Sequence, residues 1–182
     1  MARIPYPDPA SQSDEVKQRL ERVGSLNVTR MMSHAEGVML AFSKMGTQLL
    51  LKGKLDPVLR EAVILRIGQL CRSDYEWHQH VSVARAVGMD DQTLKAIADG
   101  EYNRLDPKIR LAVRVAEEIH QENRASETTV AEAAETFSPA EVVELCMVAG
   151  YYIMTAGYLN SLAIEIEDTP PLGDSMVAGR SR

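Results

Sequence analysis

The sequence predicts an all-α protein built around one hydrophobic core. Its 182 residues are 45% hydrophobic and 25% charged, which is typical of a globular domain. A capping residue followed by proline, a signal that starts helices, occurs at 56–57, at 106–107 and at 138–139. Strand signals are nearly absent, so we expect helices almost throughout.

The helix signals predict the elements in chain order. Asp56 and Asp106 each cap a helix whose first residue is proline, and Ser138 with Glu141 forms a capping box. Glycines at 88, 100 and 150 are candidates for helix ends. The predicted helices cover about residues 14–23, 28–52, 57–71, 73–87, 91–99, 107–122, 127–135 and 139–166. The third and fourth are joined so tightly that we expect them to pack as a central helical hairpin.

The two ends of the chain differ from the predicted helical domain, residues 14–168. Residues 1–13 contain three prolines and predict an extended arm, which we expect to lie on a partner subunit. Residues 169–182 predict a flexible C-terminal tail.

A short internal repeat raises the question of duplication. The segment DPVLR at 56–60 recurs as DPKIR at 106–110, and Gly100 and Gly150 share the same offset of 50. Helix starts of this kind also recur by chance, so both duplication and coincidence stay open. Only the first half carries an ionisable cluster, because Val130 occupies the position 50 residues after His80.

Charge and cysteine content narrow the function classes. The net charge is −6 with no cluster of Lys and Arg, so we predict no nucleic-acid partner. We find no apolar run that reaches the length of a membrane span and no secretory leader, so we predict no membrane partner. Cys71 and Cys146 form neither a disulfide framework nor a zinc motif, which favours the cytoplasm.

The segment CRSDYEWHQH, at residues 71–80, concentrates ionisable side chains. On a helix, Ser73, Glu76, Trp77 and His80 share one face, whereas His78 points away. His78 and His80 therefore cannot bind the same metal ion, so we predict no metal site.

His80 has two candidate acidic partners. Glu76 lies four residues before it on the same helix, and the pair is either a surface ion pair or part of a proton-transfer site. Glu61 precedes a strongly apolar run on the neighbouring helix. It either complements the helix dipole or orients His80 from the facing helix, because the two helices are expected to pack together.

The segment LDPVLREAVILRIGQLCRSDYEWHQHVSVARAVGM resembles the carboxymuconolactone decarboxylase family, which includes the AhpD-like alkylhydroperoxidases. The upstream NVTRMMSHAEGVMLAFSKMG and the downstream FSPAEVVELCMVAGYYIMTAGYLN resemble its longer members, so the likeness covers about residues 26–165. The separation of 19 residues between Glu61 and His80 matches the family's motif spacing.

The resemblance carries implications for fold and assembly. It implies an AhpD-like, cofactor-free helical fold that forms homo-oligomers, either trimers or hexamers. It also implies a small carboxylated lactone or organic acid as substrate. The peroxidase branch of the family has a Cys-x-x-Cys pair, but here those two positions are Ser73 and Glu76. The thiol mechanism of that branch therefore does not transfer to this chain.

We hypothesise a decarboxylase-type lyase, or a related proton-transfer enzyme, in which His80 is the general acid or base and Glu61 orients it. The expected pocket residues are Glu76, Trp77, Ser73, His34 and Tyr75, and the candidates to bind a substrate carboxylate are Arg30, Arg66 and Arg85. Two alternatives stay open. One is a peroxidase (a peroxiredoxin-type activity) that uses the lone Cys71, and the other is a catalytically silent member that binds a small molecule.

Overall fold

The computed structural model describes residues 1–168, and the helical prediction is confirmed across them. The α-helices are α1 Asp14–Arg22, α2 Asn27–Met32, α3 Glu36–Leu51, α4 Pro57–Leu70, α5 Asp74–Ala86, α6 Asp91–Asp99, α7 Pro107–Glu122, α8 Glu127–Thr136 and α9 Pro139–Leu162. Short 3-10 turns lie at Pro9–Ser11, Ser33–Ala35 and Tyr102–Arg104. This part of the chain contains no strand.

The predicted helix starts are confirmed in atomic detail. The Asp56 carboxylate accepts hydrogen bonds from the first backbone N–H groups of α4, and Asp106 caps α7 in the same way. At α9, the Ser138 side chain accepts from the backbone N–H of Glu141, whose carboxylate accepts from the backbone N–H of Ser138 at 2.8 Å. Local sequence therefore decides where these helices begin.

Two predicted helix boundaries were wrong. The long helix expected at 28–52 is interrupted by the turn Ser33–Ala35, where Ala35 leaves the helical conformation with a ψ of 77°. The last helix ends at Leu162 rather than at 166, because Ala163 adopts the left-handed conformation with a φ of 50°. Neither break contains a proline or a glycine, the residues that usually mark the end of a helix.

The glycine predictions had mixed outcomes. Gly88 and Gly100 follow α5 and α6 with φ angles of 102° and 72°, a conformation that glycine adopts without strain. Gly150 instead lies inside α9, so the expected helix end there was wrong. One of the two matches behind the proposed duplication is thereby lost, and the duplication itself stays a prediction.

The N-terminal arm contacts its own chain, and the expected contact with a partner subunit stays a prediction. The backbone N–H of Arg3 donates to the Leu162 carbonyl at 2.8 Å. The Pro5 carbonyl lies 2.8 Å from Nε2 of His34. These contacts with α9 and with the turn before α3 account for the position of the arm. The predicted tail, 169–182, lies outside the described residues.

Helix α4 is the centre of the fold and packs against α5, α7 and α9. Its residues are buried on all sides from Leu59 to Leu65, as expected of a helix surrounded by other helices. The tight connection to α5 includes Arg72, whose φ is 53°. The central hairpin is confirmed, and its two helices are in van der Waals contact at Gly68, where an added Cβ would lie 3.5 Å from Cβ of Glu76.

Helix α9 corrects the expectation that no apolar run is long enough to span a membrane. Within residues 1–168 it meets that requirement by length and composition, with 24 residues. Such a test is also met by core helices, and α9 packs against α4 and α7 with Leu145 and Val148 buried between them.

Candidate acid–base site

A cavity of about 530 Å³ lies where α5 and α9 face α1, α2 and α3. This volume falls within the range of small-molecule sites, about 300–1,000 Å³. Among the lining side chains are Arg19 and Arg22 from α1, Phe42, Ser43 and Thr47 from α3, Tyr75, Glu76, Gln79 and His80 from α5, and Tyr151, Tyr152 and Thr155 from α9. The cavity therefore joins several ionisable groups to a largely aromatic and aliphatic wall.

His80 and Glu61 meet inside the fold, as their spacing predicted. Nδ1 of His80 lies 2.7 Å from Oε2 of Glu61, which is fully buried. Nε of Arg60 donates to the other carboxylate oxygen at 2.8 Å, and Arg60 is only 3% exposed. Each oxygen of Glu61 thus has a charged partner, which fixes the orientation of the His80 ring.

The charges around Glu61 and His80 favour the ionised form of both side chains. Burial by itself would raise the pKa of Glu61, but His80 and Arg60 outweigh it and hold that pKa below its ordinary value. Burial also disfavours the imidazolium, yet the charges of Glu61 and Glu76 raise the pKa of His80 above its ordinary value. Both shifts favour an imidazolium paired with a carboxylate.

Glu76 lies on the other side of the imidazole. Its Oε2 is 3.5 Å from Nε2 of His80, an ion-pair separation that leaves room for a closer partner at that nitrogen. Burial raises the pKa of Glu76 to about 7, with a further contribution from Glu61 and an opposing one from His80. Glu76 can therefore gain and lose a proton near neutral pH.

Three further predicted pocket residues lie around this centre in different ways. Tyr75 lines the cavity, but its hydroxyl already donates to Oε1 of Glu167 at 2.6 Å. Ser73 caps α5, and its Oγ accepts from the backbone N–H of Glu76 at 3.5 Å. Trp77 packs against the hydrophobic core, and neither it nor Ser73 lines the cavity. Both support α5 rather than the cavity wall.

His34 is not brought to His80. It is exposed and borders a second groove, an apolar one of about 670 Å³, where it contacts the Pro5 carbonyl. The sequence resemblance placed His34 near the site, but the turn at Ser33–Ala35 directs it toward the N-terminal arm.

The three arginines considered for substrate binding also lie outside the cavity. Arg30 stacks over the ring of Tyr6, Arg66 pairs with Glu117 and Arg85 pairs with Asp91. The cavity is lined instead by two arginines of α1, residues 19 and 22.

Besides Arg22, sequence reasoning missed Arg60, Arg19 and Tyr152. The pairing of Arg60 with Glu61 could have been predicted, because the two opposite charges are adjacent at the start of an apolar helix. Arg19 bonds Oγ of Ser43 at 2.7 Å and thereby fixes α1 to α3, which no local pattern announces. Tyr152, whose ring meets the His80 ring edge-on at 4.9 Å, lies on a helix that is apolar on all faces and gives no signal.

Neither cysteine has the environment of a reactive thiol. Cys71 is half-buried, and burial together with the charge of Glu76 raises its pKa. Burial likewise raises the pKa of Cys146. Both are free of disulfides and neither lines the cavity, so the thiolate needed for peroxide reduction is disfavoured.

No metal-binding cluster is found in residues 1–168. No three side chains of His, Cys, Asp or Glu there come together in an arrangement that could hold an ion. The acid–base cluster contains a single imidazole and two carboxylates, each paired with one of the imidazole nitrogens.

Comparison with solved structures defines the fold class. An alkylhydroperoxidase AhpD core, an uncharacterized peroxidase-related protein from Ralstonia eutropha JMP134, superimposes with a TM-score of 0.82 at 18% identity, covering 98% of this chain and 96% of that one. An uncharacterized peroxidase-related protein from Silicibacter sp. TM1040 gives 0.77 at 19% identity, covering 91% of each chain. At such identities the likeness establishes the AhpD-like all-helical fold.

The family follows from the sequence of the central region. Residues 36–118, which contain Glu61, Glu76 and His80, match the family model of carboxymuconolactone decarboxylases. No curated protein matches the chain. The chain thus has the AhpD-like helical fold, and its region from α3 to α7 is similar to the carboxymuconolactone decarboxylase family.

Proposed function

We propose that this chain is a cofactor-free proton-transfer enzyme of the decarboxylase type, acting on a small carboxylated lactone or a related organic acid. The observation that carries the proposal is the orientation of His80. Its Nδ1 is engaged by buried Glu61, so Nε2 is the ring nitrogen available to a ligand in the cavity. His80 is thus held by the protein at Nδ1 and open to a ligand at Nε2, which is the arrangement that general acid catalysis requires.

The chemical step needs one proton donor and an electron sink supplied by the substrate. The bond between carbon and the carboxylate breaks, CO₂ leaves, and the electron pair moves into the conjugated carbonyl to give an enolate. His80 then donates its Nε2 proton to carbon. Glu76, with a pKa of about 7, returns a proton from solvent to His80. General acid catalysis of this kind is typically worth about 10²–10⁴-fold in rate.

We propose that Arg22 binds the carboxylate of the substrate. Arg19 lines the same cavity, but its guanidinium is held by Ser43 and Thr47. Arg22 is exposed and lines the cavity on the same helix. A guanidinium there would bind the carboxylate group that the reaction removes.

A thiol peroxidase is the competing function, because both solved relatives are described as peroxidase-related. The raised pKa of Cys71 counts against it. A silent small-molecule-binding protein is the third option, and it would bind ligands in the cavity without turnover.

The deciding experiment measures CO₂ release from γ-carboxymuconolactone by wild type, His80→Gln and Cys71→Ser. We expect His80→Gln to lose about 10²–10⁴-fold in rate and Cys71→Ser to match wild type. Thermal melting of each variant verifies that it is folded. Absence of CO₂ release from folded wild type rejects this substrate. Hydroperoxide consumption that disappears in Cys71→Ser would establish the peroxidase instead.

We also propose that the chain forms a homo-oligomer, a trimer or hexamer, in the cytoplasm. Val143, Met147 and Met154 share one face of α9 and are 62%, 45% and 56% exposed, and Val38 of α3 is 61% exposed. Burying such side chains against another copy would stabilise the assembly. The cytoplasmic location is supported by the two free cysteines.

A further inference from the structure

Tyr152 is a polar residue of the cavity that has no role in the reaction proposed above. Its ring meets the His80 ring edge-on, with centroids 4.9 Å apart and an interplanar angle of 89°. The residue is 3% exposed and lines the cavity. It lies on α9.

The Tyr152 hydroxyl differs from those of the neighbouring tyrosines. Tyr75, Tyr151 and Tyr158 donate to Glu167 and to the backbone carbonyls of residues 42 and 28, respectively. For Tyr152, residues 1–168 supply no hydrogen-bond partner. The Tyr152 oxygen is not sealed from solvent within the described residues. The hydroxyl therefore opens into the cavity.

Because no acceptor within residues 1–168 engages it, the Tyr152 hydroxyl can donate a hydrogen bond to a ligand oxygen in the cavity. Burial, and after it the charges of Glu76 and Glu61, raises the pKa of Tyr152 well above its ordinary value, so it stays a protonated donor throughout the physiological pH range.

We propose that the Tyr152 hydroxyl donates a hydrogen bond to the substrate carbonyl oxygen on which negative charge develops. This inference rests on the proposed function and makes Tyr152 a catalytic residue of it. As the carbon–carboxylate bond breaks, the electron pair moves onto that oxygen, and the hydrogen bond strengthens with the charge. Tyr152 keeps its proton, since carbon receives the proton of His80 and CO₂ is the leaving group. The ligand class is an oxyanion conjugated to an unsaturated ring.

The test uses a ligand that needs no turnover. The probe is 4-hydroxy-3-nitrobenzoate, whose phenolate oxygen stands in for the enolate and whose visible absorbance reports its ionisation. We expect wild type to bind the phenolate form, and Tyr152→Phe to bind it about 10–100-fold more weakly, because a hydrogen bond to a charged oxygen is lost. Thermal melting of Tyr152→Phe should match wild type, since no bond within the fold is removed.

Tyr158→Phe is the matched control on the same helix. Its hydroxyl donates to the Val28 carbonyl at 3.2 Å and lies outside the cavity. We expect Tyr158→Phe to melt at a lower temperature and to bind the probe like wild type. If wild type does not bind the phenolate, or if Tyr152→Phe binds it as tightly as wild type, the inference is overturned.

The activity assay separates this inference from the proposed function. If wild type releases CO₂, Tyr152→Phe should lose about 10²–10³-fold in kcat, as expected for one donor to a developing oxyanion. CO₂ release by Tyr152→Phe at the wild-type rate would overturn the role of Tyr152 and leave the lyase intact. Phenolate binding that depends on Tyr152, without CO₂ release, would reject the lyase substrate and retain the oxyanion site.

Discussion

Replacing Glu61 by Gln removes the carboxylate that both His80 and Arg60 contact. The amide has the same size but only one acceptor oxygen, so its NH₂ group must face the N–H of one of the two former partners. The bonds lost are charge-assisted, at 2.7 and 2.8 Å, and lie among side chains that are 0–7% exposed. Removing one partner of a buried ion pair costs about 3–5 kcal/mol, because the other charge is left uncompensated.

For a chain of this length, about 1 kcal/mol shifts Tm by roughly 2–4 °C, so we expect a decrease of about 6–20 °C. The pH dependence gives a second signature. In wild type, the raised pKa of His80 adds stability that is fully present below its unfolded pKa of about 6.5. That contribution is lost as the pH rises through the higher folded pKa. In Glu61→Gln the attraction of Glu61 for the imidazolium is absent, so we expect the loss of stability above pH 6.5 to be smaller than in wild type.

The assay is urea denaturation of wild type and Glu61→Gln between pH 5 and 8, within the range where linkage is expected. Glu117→Gln is the matched control, because it breaks an Arg–Glu pair with Arg66 whose side chains are 19% and 21% exposed. We expect that control to cost at most about 1 kcal/mol. Equal stabilities for Glu61→Gln and Glu117→Gln, with the same pH slope, would refute the account of the buried cluster.

Two further predictions concern the proton supply and the assembly. In Glu76→Gln we expect kcat to fall by about 10²-fold and the pH–rate profile to lose its inflection near pH 7, because the group of pKa about 7 is removed. A profile that still bends there assigns the inflection to another group. In Met154→Lys we expect light scattering to report the monomer mass of 20.1 kDa in place of a trimer or hexamer, because a charge replaces a side chain of the exposed apolar face. An unchanged oligomer mass would move the interface elsewhere.

Helix starts could be predicted from the sequence, whereas the two helix interruptions could not. Asp56 and Ser138 act through hydrogen bonds to backbone groups two or three residues away, so a few neighbouring residues decide the outcome. The breaks at Ser33–Ala35 and at Ala163 contain no helix-breaking residue. They occur where the N-terminal arm and the segment after α9 dock on the rest of the chain, and such long-range contacts leave no local pattern.

The sequence by itself determined the helical class and the central hairpin, and it indicated the family likeness of the central region and the meeting of Glu61 with His80. These rest on local capping, apolar spacing and a fixed separation across one tight connection. Only the tertiary structure decided which other side chains share the cavity. It placed Arg22 and Tyr152 in the same cavity as His80 and left His34 outside, because the positions of α1 and α9 relative to α5 depend on packing between segments distant in sequence.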